Sequence, residues 1–200
     1  MAVSKGERTR QDIVERALAL AGEVGLEGVS LGVLAAGMNL SKSGLFAHFK
    51  SKEALQLAVL QAAIDRFVKQ VVLPALTKAR GEPRVKALFD QYLGWIHGHE
   101  PKGSCLFMAL AQEYDDRPGP VRDLLVQSQR DWQAAIARAA RIAVDEGHFR
   151  DDLDSEQFAY EVMGLGMAYQ HLHKLLDDPR AEGRARAAFA ALLARSRPAR

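Results

Sequence analysis

Apolar residues recur every three or four positions along most of the chain, and no convincing run alternates with the period of two that a half-buried strand shows. This pattern predicts nine helices. Ile13, Ala17, Leu20 and Val24 share one face of a helix from about Thr9 to Val24, where Thr9 and Asp12 approximate a capping box and Gly25 ends the helix. Two very short helices follow. Leu31, Leu34 and Ala35 mark the first, and Gly37 closes it. Asn39 suits the turn, Ser41 is placed to cap the second, and Leu45, Phe46 and Phe49 form its apolar face. A fourth helix starts after Ser51 and runs toward Ala79, with Pro74 kinking it or ending its regular part. Gly81-Glu82-Pro83 separates it from a fifth, over about Pro83–His99, and a sixth covers about Ser104–Tyr114. After a turn-rich loop, Val121, Leu125, Ser128, Trp132, Ala135, Ala139 and Ile142 stripe a seventh helix that runs to about Glu146. Asp154 and Gln157 start an eighth, which ends before Asp177. A ninth spans about Arg180 to Arg195, with a frayed end expected from Arg195 to Arg200.

Helices of about two turns do not hold together alone. A pair of them around a tight turn is the helix-turn-helix unit, whose second helix enters the DNA major groove. The expected fold class is therefore all-α: an N-terminal three-helix DNA-binding domain with a helix-turn-helix, plus a C-terminal bundle of about six helices. The expected domains are residues 1–52 and 53–200, with the fourth helix shared between them.

Composition narrows the chemistry. A formal charge of +2 over 200 residues is too small to argue for nucleic acid by itself. The basic signal is local, in Lys5, Arg8 and Arg10 and then in Lys42, His48, Lys50 and Lys52, with no acid from Lys42 until Glu53. Phosphate neutralisation by such cations drives most nucleic-acid affinity. One cysteine, Cys105, rules out an internal disulfide framework and a Cys-rich zinc site. The polar N-terminus lacks the apolar run of a signal peptide, and no segment reaches membrane-span length. A cytoplasmic protein with no membrane partner is expected. No nucleophile–base pairing, metal-ligand spacing or glycine-rich phosphate loop stands out, so no enzyme, catalytic residue, metal or cofactor is expected. His97 and His99, like His171 and His173, are two apart; on a helix this puts the rings on opposite sides, so neither pair chelates one ion.

Ala17-Leu18 to Gly25, Ser30, Leu34-Ala35-Ala36 and above all the run Ser41-Lys42-Ser43-Gly44-Leu45-Phe46-Ala47-His48-Phe49-Lys50-Ser51-Lys52-Glu53-Ala54-Leu55 resemble the tetracycline-repressor (TetR) family of bacterial transcriptional regulators. The resemblance covers about the first quarter of the chain. It implies an all-helical homodimer with an N-terminal DNA reader and a C-terminal domain that holds a small-molecule effector and the dimer contact. It also implies DNA contact at Ser30, Lys42, Phe46, His48 and Lys52. Phe46 stands where the family usually has a phosphate-binding tyrosine, and Gly32 and Gly44 where longer side chains often touch DNA. Backbone approach and DNA shape would then carry more of the selectivity.

The residues themselves add to this set. Lys42 sits where recognition helices meet base edges, and lysine there suits guanine O6 and N7 or a phosphate. Ser41 and Ser43 suit phosphate, and Ser41 suits a helix cap equally well. His48 and Lys52 read as phosphate anchors. Arg8 and Arg10 fit either a DNA-reaching arm or an ordinary charged helix start. For the dimer, Phe158, Val162, Leu165, Tyr169 and Leu172, with Ala188, Phe189 and Leu192, form seams suited to a partner's helices or to an internal core. Gly164 and Gly166 inside a helix suggest close approach by another helix. Trp95, His97, Cys105, Phe107, Met108, Trp132, Met163 and Met167 are the candidate effector pocket; the same side chains suit plain packing. The expected function is a ligand-responsive DNA-binding regulator, a repressor that binds a near-palindromic double-stranded operator as a homodimer and is released by its effector. The alternatives are a constitutive DNA-binding or architectural protein without a ligand, and a helical enzyme carrying a vestigial reading head.

Overall fold

The computed structural model of the chain describes residues 4–98 and 106–199. Its helices are α1 (Lys5–Gly28), α2 (Leu31–Gly37), α3 (Lys42–His48), α4 (Lys52–Phe67), α5 (Leu73–Leu76), α6 (Glu82–His97), α7 (Leu106–Tyr114), α8 (Pro120–Asp145), α9 (Ser155–Gln170) and α10 (Ala181–Ser196). A π-helical turn, Val68–Val72, joins α4 to α5, and a second, His171–Leu175, extends α9. With α4 and α5 joined in this way there are nine helical rods among the described residues, and no strand. The π turn that precedes α5 has a local cause. Pro74 has no N–H and its ring crowds the carbonyl four residues back, so the helix widens just ahead of it.

The chain folds as two compact units, one made by α1 to α3, α4 as far as Arg66, α7 and α8 as far as Gln127, the other by the stretch from Phe67 through α6 and from Ser128 onward. In the first unit α1 packs on α2 and α7, and α2 packs on α3. The seven-residue helices α2 and α3 persist because Leu34, Leu45 and Phe49 are almost fully buried. Serines cap them: Val33 N donates to Ser30 Oγ at 3.1 Å and Gly44 N to Ser41 Oγ at 3.0 Å. Asn39 takes the left-handed turn conformation, with φ 53°.

Two boundaries differ from the sequence expectation. The N-cap of α1 is Ser4, whose Oγ accepts from Glu7 N, while Thr9 lies inside the helix and donates its hydroxyl to Lys5 O. The polar first turns are thus helical although no apolar residue marks them. Gly25 does break the helical path, with φ +75°, but one more turn follows because Glu113 of α7 accepts from the backbone N–H groups freed at Leu26 and Glu27.

In the second unit α9 packs on α6 and α10. Phe89 stacks on Phe189 with ring centroids 3.8 Å apart. Phe67 lies edge-on to Trp95 and Trp132, and Tyr92 edge-on to Trp132. Gly166 admits Tyr92: a Cβ there would lie 2.1 Å from the ring. Asp154 caps α9, its carboxylate accepting from the Glu156 and Gln157 amides. The end of α10 is not frayed at Ser196 and Arg197. Arg150 N donates to Ser196 O, and the Arg197 guanidinium makes two bonds, 2.9 and 2.6 Å, to the Glu82 carboxylate at the start of α6. That contact holds the Glu82 carboxyl down at about 2; burial opposes it and Lys86 assists.

Candidate nucleic-acid interface

The helix-turn-helix presents the residue types the sequence picked out. Ser30, Ser41, Ser43, Phe46 and Lys50 are exposed, His48 is half-buried in the last turn of α3, and Lys42 opens that helix. Phe46 is 46% exposed, whereas its neighbours Leu45 and Phe49 fill the core. Ser41 and Ser43 share a 3.0 Å hydroxyl contact. Gly44 has a local reason: a Cβ there would sit 3.1 Å from the capping Ser41 Oγ, so the cap favours glycine.

For three basic residues the structure adds placements or partners that the sequence left open. Arg8 and Arg10 lie within α1, so they are a charged helix start and not an extended arm. The Arg10 guanidinium covers the Phe49 ring, 4.9 Å from its centroid. Lys52, expected as a phosphate anchor, has partners within its own unit: Nζ donates to Glu27 O at 2.7 Å and to Glu27 Oε2 at 2.9 Å.

Glu27 is the residue the sequence did not single out. Its Oε1 accepts from Gln56 Nε2 and from the Tyr114 hydroxyl, each at 2.9 Å, while its own N–H donates to Glu113 at 2.6 Å. Three helices, α1, α4 and α7, meet on this one side chain. The Lys52 hydrogen bond, then that from Gln56, hold its carboxyl down at about 2 against the opposing effect of burial. Burial and the neighbouring Glu27 carboxylate push the Tyr114 hydroxyl up. Beside this cluster lies a cleft of about 190 Å³ lined by Glu27, Glu53, Gln56, Tyr114, Arg117 and Arg122 among others. The break at Gly25, with φ > 0, turns the Glu27 amide toward α7; the sequence marked the break but not the partner it meets.

The expected effector-pocket residues fall in both units. Phe107 is buried in the first and Met108 half-buried there; Cys105 lies outside the described residues. In the second, Trp95 and Trp132 are buried and belong with Phe67 and Tyr92, which the sequence reading left out. His97 is exposed, with Nδ1 3.1 Å from the Tyr169 hydroxyl and its ring stacked on His173. Met163 is half-buried, and Met167 is 54% exposed on the outer side of α9.

Most of the residues expected at a dimer seam pack within their own chain. Phe158, Val162, Tyr169, Phe189 and Leu192 are buried inside the second unit, because this face of α9 and α10 fills the unit's own core. Leu165 and Leu172 are half-buried, and Ala188 is exposed. The outward strip of α9 is Tyr160, Gly164 and Met167, spaced by four and three, and α10 adds the exposed Ala187, Ala188, Ala191 and Ala194. Nothing stands within 4 Å of where a Gly164 Cβ would lie, whereas Gly166 faces Tyr92.

An all-helical chain with a serine-capped helix-turn-helix and a separate helical unit defines a helix-turn-helix transcriptional regulator. Residues 13–59 match the family described as bacterial regulatory proteins, tetR family, and residues 81–189 match the tetracyclin repressor-like C-terminal domain. The chain belongs to the TetR family. A TetR-family transcriptional regulator from Cytophaga hutchinsonii superposes with a TM-score of 0.86 at 22% identity, covering 100% of both chains. AibR, solved in complex with isovaleryl coenzyme A and operator DNA, gives 0.72 at 21% identity over 95% of this chain and 99% of its own. A ketosteroid transcriptional regulator of Mycobacterium tuberculosis gives 0.69 at 18% identity over 100% and 98%. No curated protein matches the chain. No helix among the described residues is long and apolar enough to cross a membrane.

Proposed function

We propose that the protein is a homodimeric repressor that holds a near-palindromic operator and is released by a small-molecule effector. One observation carries the DNA reading most directly: the run from Lys42 to Lys52, from the start of α3 to the start of α4, holds four basic groups and no acid, and the exposed side of α3 carries Ser43 and Phe46. Ser30, Ser41 and Ser43 direct hydroxyls to phosphates, and Lys42 meets a base edge or phosphate in the major groove. Phe46 offers the groove an apolar contact such as a thymine methyl.

A second copy of the chain covers the outward strip of Tyr160, Gly164, Met167, Ala188 and Ala191, since small and apolar residues exposed together suit a partner's helices. Such a pair presents two recognition helices about one DNA turn apart. We assign the effector site to the second unit, beside the aromatic group of Phe67, Tyr92, Trp95 and Trp132. Trp132 Nε1 is buried there with no hydrogen-bond partner among the described residues. An apolar ligand carrying one acceptor would satisfy it. That AibR was solved with both an acyl-coenzyme A and operator DNA supports a two-ligand reading of this fold. A ligand that binds the DNA-incompetent conformer better by about 1–3 kcal/mol lowers operator affinity roughly five- to 150-fold.

The test is selection of duplexes from random sequence, followed by titration at fixed salt. A recovered near-palindrome and weaker binding by folded Lys42→Ala are expected. Absence of salt-dependent binding to any duplex refutes the reading.

A further inference from the structure

Lys52 opens α4, immediately after the acid-free run, and its ammonium has three N–H donors. Two are committed, to the carbonyl and to the carboxylate of the same residue, Glu27. Glu27 in turn has three further partners. Its amide is held by Glu113, and its second carboxylate oxygen by Gln56 and Tyr114. Glu113 accepts from the Leu26 amide as well, at 3.0 Å, so its carboxylate spans two successive N–H groups that the positive φ of Gly25 turns outward. A Cβ on Gly25 would come within 3.1 Å of that carboxylate. The ion pair lies at the surface, with both side chains about two-fifths exposed, but its Glu27 end is tied to α4 and α7 by further hydrogen bonds.

We infer that Glu27 is a positioning residue for DNA binding: it aims the one remaining N–H of Lys52 at a backbone phosphate and cancels the charge that Lys52 would otherwise bring. The inference rests on the reading of α3 and the start of α4 as the DNA-facing surface. Counterion release follows the net positive charge placed against phosphate, with a slope of about 0.9 in log K against log salt for each phosphate neutralised. A Lys52–Glu27 pair that stays intact on DNA adds a directed hydrogen bond and no such increment. The consequence is restraint. The reading head holds its register through Lys52 while drawing less of its affinity from sequence-independent attraction, which favours discrimination between operator and bulk DNA.

The experiment measures the salt dependence of binding to one duplex selected with the wild-type protein, for wild type, Glu27→Gln and the isoelectric double variant Glu27→Gln with Lys52→Met. Thermal melts establish that each is folded. Glu27→Gln releases the Lys52 charge, so its slope should steepen by about 0.9, while the double variant should keep the wild-type slope and bind more weakly at every salt concentration. A Glu27→Gln slope equal to wild type overturns the inference. So does a double-variant slope shallower by about 0.9, which means that Lys52 leaves Glu27 for the phosphate, and so does a double variant that binds as tightly as wild type, which means that Lys52 meets no phosphate. The double variant leaves no unpaired ion and decides the matter alone if Glu27→Gln does not fold. Loss of all salt-sensitive binding by the wild-type protein would instead remove the DNA-facing reading on which the inference stands.

Discussion

Gly166→Ala makes a demanding test of the second unit, because two effects of known sign compete. Alanine in place of glycine inside a helix is favourable by about 1 kcal/mol. Against this, the new methyl would lie 2.1 Å from Tyr92 Cε1, 2.6 Å from Cζ and 2.8 Å from the hydroxyl oxygen. Ordinary contact requires the ring to retreat by more than an ångström. It has nowhere to go, since Tyr92 is 5% exposed and its ring meets Trp132 and Phe67 at centroid distances of 5.3 and 6.4 Å. Overpacking of a tight core costs about 1–3 kcal/mol, and a ring held on both sides belongs at the upper end. The net is a loss of about 2 kcal/mol, or roughly 4–8 °C in Tm for a chain of this size. Gly94→Ala is the matched control: Gly94 is an exposed residue of α6 with nothing within 4 Å of its Cβ position. It should raise Tm by about 2–4 °C. Thermal unfolding of the two variants, followed by circular dichroism at one protein concentration, checks both signs. A Gly166→Ala protein as stable as wild type would refute the packing argument.

Stability should fall in acid as Glu27 and Glu82 protonate. Both carboxyls have folded-state values of about 2 against an ordinary 4.5, so their contribution is complete above 4.5 and is lost as pH falls toward 2. Denaturant midpoints between pH 5 and 2.5 should show a shallower decline for Arg197→Met than for wild type. Ser41→Ala removes the cap of α3 and should cost about 1 kcal/mol, measurable by chemical denaturation. Met167→Arg places a charge on the outward strip of α9 and should give a monomer by analytical ultracentrifugation; an unchanged dimer would exclude that strip from the interface.

The elements were legible in the sequence wherever a local device specified them. Ser41 capped α3, Asp154 capped α9, Asn39 took the turn, and the loop from Asp115 ran to Pro120. What spacing could not report was which of two apolar sides of a helix meets its own chain. Phe158, Val162 and Tyr169 read as a seam, and so they are, but the partner is internal. Tyr160, Gly164 and Met167, which lie outward, looked no different at the level of pattern. The partner of Lys52 was hidden for a related reason. Lys52 sat in an acid-free run, yet its acid came from 25 positions away, across a helix break that only the left-handed Gly25 makes possible. Long-range pairing of this kind leaves no local trace.

The clasp of Arg197 on Glu82 bears on the order in which the chain acquires its shape. Its two members are separated by 115 positions, and it ties the last helix back to the opening of α6. On a ribosome the first unit has all its segments once Gln127 has emerged. The second lacks this clasp until Arg197 has emerged, so the first unit is ready to fold while the second is still being synthesised.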